Sequence, residues 1–194
     1  MCSDSVEKYA MMPLLKTTAM LGRVAGHAAA ISSLRGEDKH ACAARLLELH
    51  AASHPQAIAI KFESRRYTWA QLNFEANRVA AGFHARGLHH GDCVALLVES
   101  SPEALFAILG LNKIGVIASL INTQLTGDAL AHVLRSCRPV VVIADGEHLP
   151  AVIETLSVLV GEGLSPELLC ADGDHVGAPS LQATLPTNAV TPAS

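Results

Sequence analysis

Three apolar runs of strand length, residues 93–98, 116–121 and 140–144, are separated by stretches whose apolar side chains recur every three or four positions. None of the runs alternates polar with apolar residues, so each reads as a strand buried on both faces. A buried strand, a helix and another buried strand in succession require a crossover connection, because tight hairpins join only antiparallel neighbours. The pattern therefore predicts an α/β fold, a mostly parallel sheet with helices on both faces. Half of the 194 residues are hydrophobic and 16% are charged, which supplies one real core and excludes a disordered chain.

The intervening helices carry their own punctuation. Thr68 followed by Gln71 is a capping-box pattern, and behind it Trp69, Leu72, Ala76, Val79, Ala80 and Phe83 form one apolar stripe that ends at Gly87. Ser101, Pro102 and Glu103 supply a cap, a first-turn proline and an acid at a helix start. The helix that follows, through Leu105, Phe106, Ile108, Leu109 and Leu111, is apolar almost all round and is expected between layers. Over 126–137, Leu130, Val133, Leu134 and Cys137 are expected inward, with Arg135 and Arg138 near the negative end of the helix. A last helix uses Leu149, Val152, Ile153, Leu156, Leu159 and Val160.

Ahead of the sheet, residues 41–53 place Leu46, Leu49 and Ala52 at helical spacing, and 57–60 with 66–67 read as a hairpin. Residues 167–171 suit one more strand, and 173–194 are rich in Gly, Pro, Ala and Thr and read as loop. The chain thus divides into a leader over 1–40, a partial domain over 41–171 and an irregular tail over 172–194.

Charge is unevenly placed. All 14 Lys and Arg lie at or before Arg138, giving that portion a net +3, whereas the remainder holds seven acids and no base. Such a balance, with 4% aromatic residues, excludes a nucleic-acid partner. The base-free ending, without any charge after residue 180, is expected not to be a finished domain edge. Cysteines at 2, 42, 93, 137 and 170 are odd in number and form neither CxxC nor a Cys/His cluster. They read as reduced thiols of a cytoplasmic protein, without a disulfide framework or a zinc site.

In the leader, Lys16, Arg23 and His27 share one helical sector opposite Leu14, Leu21, Ala25 and Ala28. Two readings stand: a helix packed on its own domain, or an amphipathic helix in peripheral contact with the inner face of a membrane. Asp4 and Glu7 precede the apolar stretch and Lys16 and Arg23 interrupt it, so neither a secretory signal nor a spanning helix is expected.

Open α/β sheets commonly bind nucleotides, but the phosphate-binding patterns are incomplete. Gly110 and Gly115 have the glycine spacing of a P-loop, yet Val116 and Ile117 stand where Lys and Ser/Thr are needed, and the segment ends a helix where a P-loop opens one. His50 and His54 are spaced as a metal pair, but Pro55 draws His54 out of helical geometry. His89 and His90 fall in an expected turn without a nameable partner. No nucleophile, acid–base pair or metal centre stands out, and no catalytic, cofactor-binding or metal-ligating residue is assigned.

One stretch resembles a known family. Tyr67-Thr68-Trp69-Ala70-Gln71-Leu72-Asn73, Ala76-Asn77-Arg78-Val79-Ala80, Gly87-Leu88 with Gly91-Asp92-Cys93-Val94-Ala95-Leu96-Leu97, then Glu99, Pro102-Glu103 and Leu109-Gly110-Leu111-Asn112-Lys113-Ile114-Gly115 resemble the amino-terminal part of the AMP-forming acyl-CoA synthetases. The run Leu120-Ile121-Asn122-Thr123-Gln124-Leu125-Thr126-Gly127, with Leu130 and His132, is similar to the fatty-acid transport protein and very-long-chain acyl-CoA synthetase branch; Ser100 departs from that branch's usual asparagine.

The resemblance implies the incomplete amino-terminal part of an adenylate-forming enzyme's large domain. It also implies a full-length reaction in which a fatty acid attacks ATP to give an acyl-adenylate and pyrophosphate, and CoA then displaces AMP, with Mg²⁺ and cationic groups neutralising phosphate. The family's phosphate loop, of the form Tyr-Thr-Ser-Gly-Thr-Thr-Gly-x-Pro-Lys, does not occur before Ser194. No family catalytic residue transfers to this chain. ATP, Mg²⁺ and CoA are expected of the full-length enzyme and not of this chain alone, which is expected to be inactive and to self-associate through exposed apolar surface. The rival expectation is a non-catalytic module that docks to a membrane or partner. Asn73, Asn77, Arg78 and Asn122 are expected as helix and turn contacts.

Overall fold

The computed structural model describes residues 42–187, so the leader and its two readings lie outside the described residues. Helix α1 (Ala43–Ser53) leads into a hairpin of β1 (Ile58–Phe62) and β2 (Arg65–Thr68). Then follow α2 (Trp69–Ala85), β3 (Cys93–Leu97), α3 (Pro102–Lys113), β4 (Ile117–Leu120), α4 (Gly127–Cys137), β5 (Val141–Ala144), α5 (Leu149–Val160) and β6 (Glu167–Cys170). A 3-10 turn, Gln182–Thr184, is the last element among the described residues.

Strands β3 to β6 form one parallel sheet in the order β4-β3-β5-β6. Side chains alternate across it. Val94, Leu96, Val141, Ile143 and Leu169 face one layer with α2, α3 and Leu47 of α1. Ala95, Leu97, Val142, Ala144 and Cys170 face the other, with Leu130 and Leu134 of α4 and Leu149, Val152 and Leu159 of α5. The expected sheet with helices on both faces is the observed architecture, and the chain supplies both layers because β3 and β5 are buried almost throughout.

The capping box forms as read: the Gln71 amide donates to Thr68 Oγ1 at 3.2 Å, and the Thr68 amide to Gln71 Oε1 at 2.9 Å. Ser101 caps α3 by accepting from the Ala104 amide at 3.1 Å. No residue of α3 is exposed, as its all-round apolarity requires.

Two helix faces, those of α1 and α5, differ from expectation. In α1 the buried residues are Ala44 and Leu47, whereas Leu49 is exposed. The helix is rotated because polar contacts fix it at α3: Asn112 Oδ1 accepts from the Ala44 amide at 3.1 Å, and Glu48 pairs with Lys113. In α4 the expected face does turn inward: Leu130 and Leu134 are buried, with Ala131 beside them, and Val133 and Cys137 pack half-buried against the same cluster. In α5, Ile153 and Val160 are exposed while Thr155 is buried, its hydroxyl donating to the Ala151 carbonyl at 2.7 Å. That bond satisfies the hydroxyl within the helix and lets Thr155 face inward.

Residues 171–187 are irregular but not peripheral. Leu181 and Leu185 belong to the same buried cluster as Phe83 and Leu169. The Cys170 amide donates to the Pro179 carbonyl at 2.9 Å, and the Leu181 amide to the Cys170 carbonyl at 2.7 Å, so this segment lies along the outer edge of β6. Among the described residues β4 is the other edge, where Ile117 and Leu120 are exposed. Among the described residues no helix is long and apolar enough to cross a membrane.

Candidate functional site

In an open parallel sheet, ligands bind outside the carboxyl ends of the strands where the chain's direction of winding reverses. Here the path goes from β3 to β4 on one side and then back over β3 to β5, so the reversal lies between β3 and β5. The residues leaving the sheet there are Glu99, Asp145, Glu147 and His148, with Asn122 after β4 and Asp172 after β6.

The Glu99 amide donates to Asp145 Oδ2 at 2.5 Å, closing β3 onto β5. Asp145 also starts α5, its carbonyl accepting from the His148 and Leu149 amides at 2.9 and 3.2 Å. His148 Nε2 is enclosed, lies 3.5 Å from Glu99 Oε1 and 3.3 Å from Glu147 Oε1, and makes no hydrogen bond. Asn122 Oδ1 accepts from the Gln124 amide at 3.0 Å, which makes it a turn former. Asp172 Oδ1 accepts from the Gly146 amide at 2.9 Å and from Cys170 Sγ at 2.9 Å.

Burial holds the Asp145 carboxyl above the usual aspartate range; the Glu99 amide opposes this and the charge of Asp172 adds to it. A carboxyl whose pKa is raised on folding is proton-rich in the folded state, so its contribution to stability is full below the unfolded aspartate value and declines as pH rises through the raised one. Asp145→Asn keeps an oxygen for the Glu99 amide and removes the buried charge. Its stability relative to the natural chain is expected to rise between pH 4 and pH 7 in urea titrations; a flat difference across that window would refute the assignment. Asp172 shifts the opposite way, held low chiefly by the Cys170 thiol.

The loops that leave the sheet, 98–101, 121–126, 145–149 and 171–175, contain no Lys or Arg. Acidic side chains with one enclosed imidazole repel the phosphates of a nucleotide and attract cations. The rim as it stands does not fit ATP or CoA phosphates.

The residues singled out in the sequence resolve mainly into packing. Gly110 lies in the middle of α3, where a Cβ would stand 2.5 Å from Val79 Cβ and 2.7 Å from the Ala76 carbonyl. Gly115 has φ +71°, and a Cβ there would meet the His90 ring at 2.5 Å. Their P-loop-like spacing thus records a close helix crossing and a turn. His50 stacks on Trp69 with ring centroids 4.6 Å apart, while His54 Nδ1 meets Ser53 Oγ at 2.9 Å, so the two do not converge on a metal. The His89 amide donates to Asp92 Oδ2 at 2.7 Å in the expected turn. Arg78 donates to the Pro186 carbonyl and to Glu75, each at 2.8 Å. Asn73 and Asn77 keep enclosed, unpartnered Oδ1 atoms.

The Asp145 and His148 positions carry no sequence signal beyond a polar turn after a strand. The sequence Cys170-x-Asp172-x-x-His175, directly after a strand, is such a signal for the cluster at the end of β6.

A family model described as AMP-binding enzyme matches residues 47–186. Long-chain fatty acid transport protein 6 of Mus musculus is 32% identical over 111 residues, which cover 57% of this chain and 18% of that protein. The medium/long-chain-fatty-acid–CoA ligase FadD6 of Mycobacterium tuberculosis is 36% identical over 104 residues, covering 54% and 17%. Among solved structures, the N-terminal domain of FACL13 from Mycobacterium tuberculosis superposes with a TM-score of 0.69 at 30% identity, over 78% of this chain and 37% of that one. The chain spans less than a fifth of the length of these two curated relatives.

Proposed function

Because the chain belongs to the AMP-binding enzyme family, we propose that it is the amino-terminal scaffold of a long-chain or very-long-chain fatty-acid–CoA ligase. The reaction of the whole enzyme is then ATP + fatty acid + CoA to acyl-CoA + AMP + pyrophosphate. This chain's share is the parallel sheet, with a helical layer on each face, on which the nucleotide-handling parts rest, and alone it does not turn over.

One observation carries the second half of this reading: the carboxyl-end rim holds Glu99, Asp145, Glu147 and Asp172 without a basic residue in its loops. In the adenylation step the fatty-acid carboxylate attacks the α-phosphorus and pyrophosphate leaves, and the negative charge on the phosphate oxygens of the pentacoordinate transition state requires cationic neutralisation, which these loops do not offer. Mg²⁺ alone on an acidic rim would leave the phosphates without their remaining counter-charge, so these residues do not supply the adenylation step.

The purified chain is expected to give no ATP-dependent palmitoyl-CoA and no pyrophosphate above a mock purification, and thioester formation would overturn the reading. The same preparation is expected to self-associate through β4, where Ile117 and Leu120 are exposed on an edge strand. Light scattering after size exclusion reads this directly, and a monomer that ignores a hydrophobic dye would count against it.

A further inference from the structure

Past the end of β6 the chain turns back and brings three unlike donor side chains together. Cys170 is the last residue of the strand and fully buried, while Asp172 and His175 are exposed. One ligand atom from each, a sulfur, a carboxylate oxygen and an imidazole nitrogen, lies within 4.8 Å of the others.

The backbone sets these positions independently of any contact among the donors. His175 and Ala178 exchange amide bonds at 3.1 and 3.0 Å, and Ala178 is buried against the core. The Ser180 amide donates to Asp174 Oδ1 at 2.8 Å, which closes the loop at its far side. The His175 ring lies over Gly146, where a Cβ would stand 2.5 Å from Nε2 and 3.3 Å from Asp172 Oδ1. A side chain at 146 would therefore push the imidazole and the carboxylate apart.

We propose that Cys170, Asp172 and His175 bind zinc, with a water in the fourth position. The donor set selects the ion: thiolate and imidazole suit zinc, whereas magnesium and calcium take oxygen ligands. Two anionic ligands balance one divalent charge. On binding, the Cys170 S–H bond breaks, its proton leaves to solvent and a Zn–S bond forms in its place, with no change of oxidation state. The Cys170 Sγ and Asp172 Oδ1 atoms, 2.9 Å apart across that proton, then separate to about 3.5 Å, the edge of a tetrahedron with ordinary Zn–S and Zn–O distances. The ion fastens the 171–181 loop to the end of β6. This inference does not rest on the ligase reading.

Cobalt(II) is the probe, added to the metal-free full chain and then displaced by zinc. One equivalent is expected to give visible bands of a four-coordinate site and a near-ultraviolet thiolate-to-cobalt band, and zinc is expected to raise the melting temperature. Cys170→Ser removes the thiolate band. Asp172→Ala and His175→Ala, at exposed positions, retain the fold and weaken cobalt binding at least about tenfold, the loss that even an outer-shell partner produces. Cys42→Ser changes nothing. An unchanged spectrum and affinity in Asp172→Ala and His175→Ala, or no band in the natural chain, overturns the site.

Discussion

Gly110→Ala is expected to destabilise the fold by about 3 kcal/mol, near the top of the usual range for overpacking. Alanine is the better helix former by about 1 kcal/mol, so on propensity alone the change would stabilise α3. The new Cβ, however, would lie 2.5 Å from Val79 Cβ, 2.6 Å from Val79 Cγ1 and 2.7 Å from the Ala76 carbonyl. A rotamer change at Val79 relieves only the Cγ1 clash; the other two atoms are fixed to the α2 backbone. The helices must separate by roughly 1 Å to reach ordinary contact, which loosens Ala76, Val79 and Phe83 against Phe106 and Leu109, all in one cluster. Thermal unfolding should show a fall of about 10 °C for a domain of this size. Val79→Ala added to Gly110→Ala should recover little of the loss, because it removes only Cγ1 while the Val79 Cβ position and the Ala76 carbonyl remain. A Gly110→Ala chain as stable as the natural one would mean that α2 and α3 do not cross at this distance.

The same glycine shows what was legible in the sequence and what was not. The periods of α2 and α3 and the continuous apolar character of β3 and β5 place both helices on the sheet, because local period and burial agree there. Nothing local says that Gly110 sits opposite Val79, since that contact depends on how two helices cross. Spacing alone instead suggested half of a phosphate loop. The α1 face departs from its apolar spacing for a related reason. Leu46, Leu49 and Ala52 fit one stripe, but a polar bond from Ala44 to Asn112, 68 residues away, sets the rotation. In α5, Ile153 and Val160 extend the apolar pattern beyond the face that the sheet can cover. The carboxyl-end rim was least legible, because Glu99 and Asp145 meet only once β3 and β5 pair. Its lack of basic residues follows from the charge distribution only in 145–149 and 171–175, which lie beyond the last base, Arg138.

Ending the chain after Ser180, or replacing both Leu181 and Leu185 by alanine, is expected to cost about 4 to 6 kcal/mol, from about 2 to 3 kcal/mol for each buried leucine. That is a large part of the total stability of an ordinary domain, about 5 to 15 kcal/mol, so the truncated chain should lose cooperative unfolding while keeping much of its helical circular dichroism. The composition of 173–194 reads as loop, and the described part, 173–187, is irregular in backbone, yet two leucines among small and polar residues are enough to bind it to the core. Leu181 is 2% and Leu185 7% exposed, and the Arg78 Nε–H bond to the Pro186 carbonyl at 2.8 Å holds the last turn against α2. The seat for Leu185 is Gly82, where a Cβ would stand 2.8 Å from Leu185 Cδ2. The atom met is the end of a side chain that can turn aside, so Gly82→Ala should cost only about 1 kcal/mol in the natural chain, and be neutral or mildly stabilising in a Leu185→Ala background, where the clash is gone and only the helix preference of alanine remains. Such a reversal of sign in a double-mutant cycle requires direct contact between the two positions. If the two substitutions simply add, the tail does not rest on α2, and the truncation should then be tolerated as a loop would be.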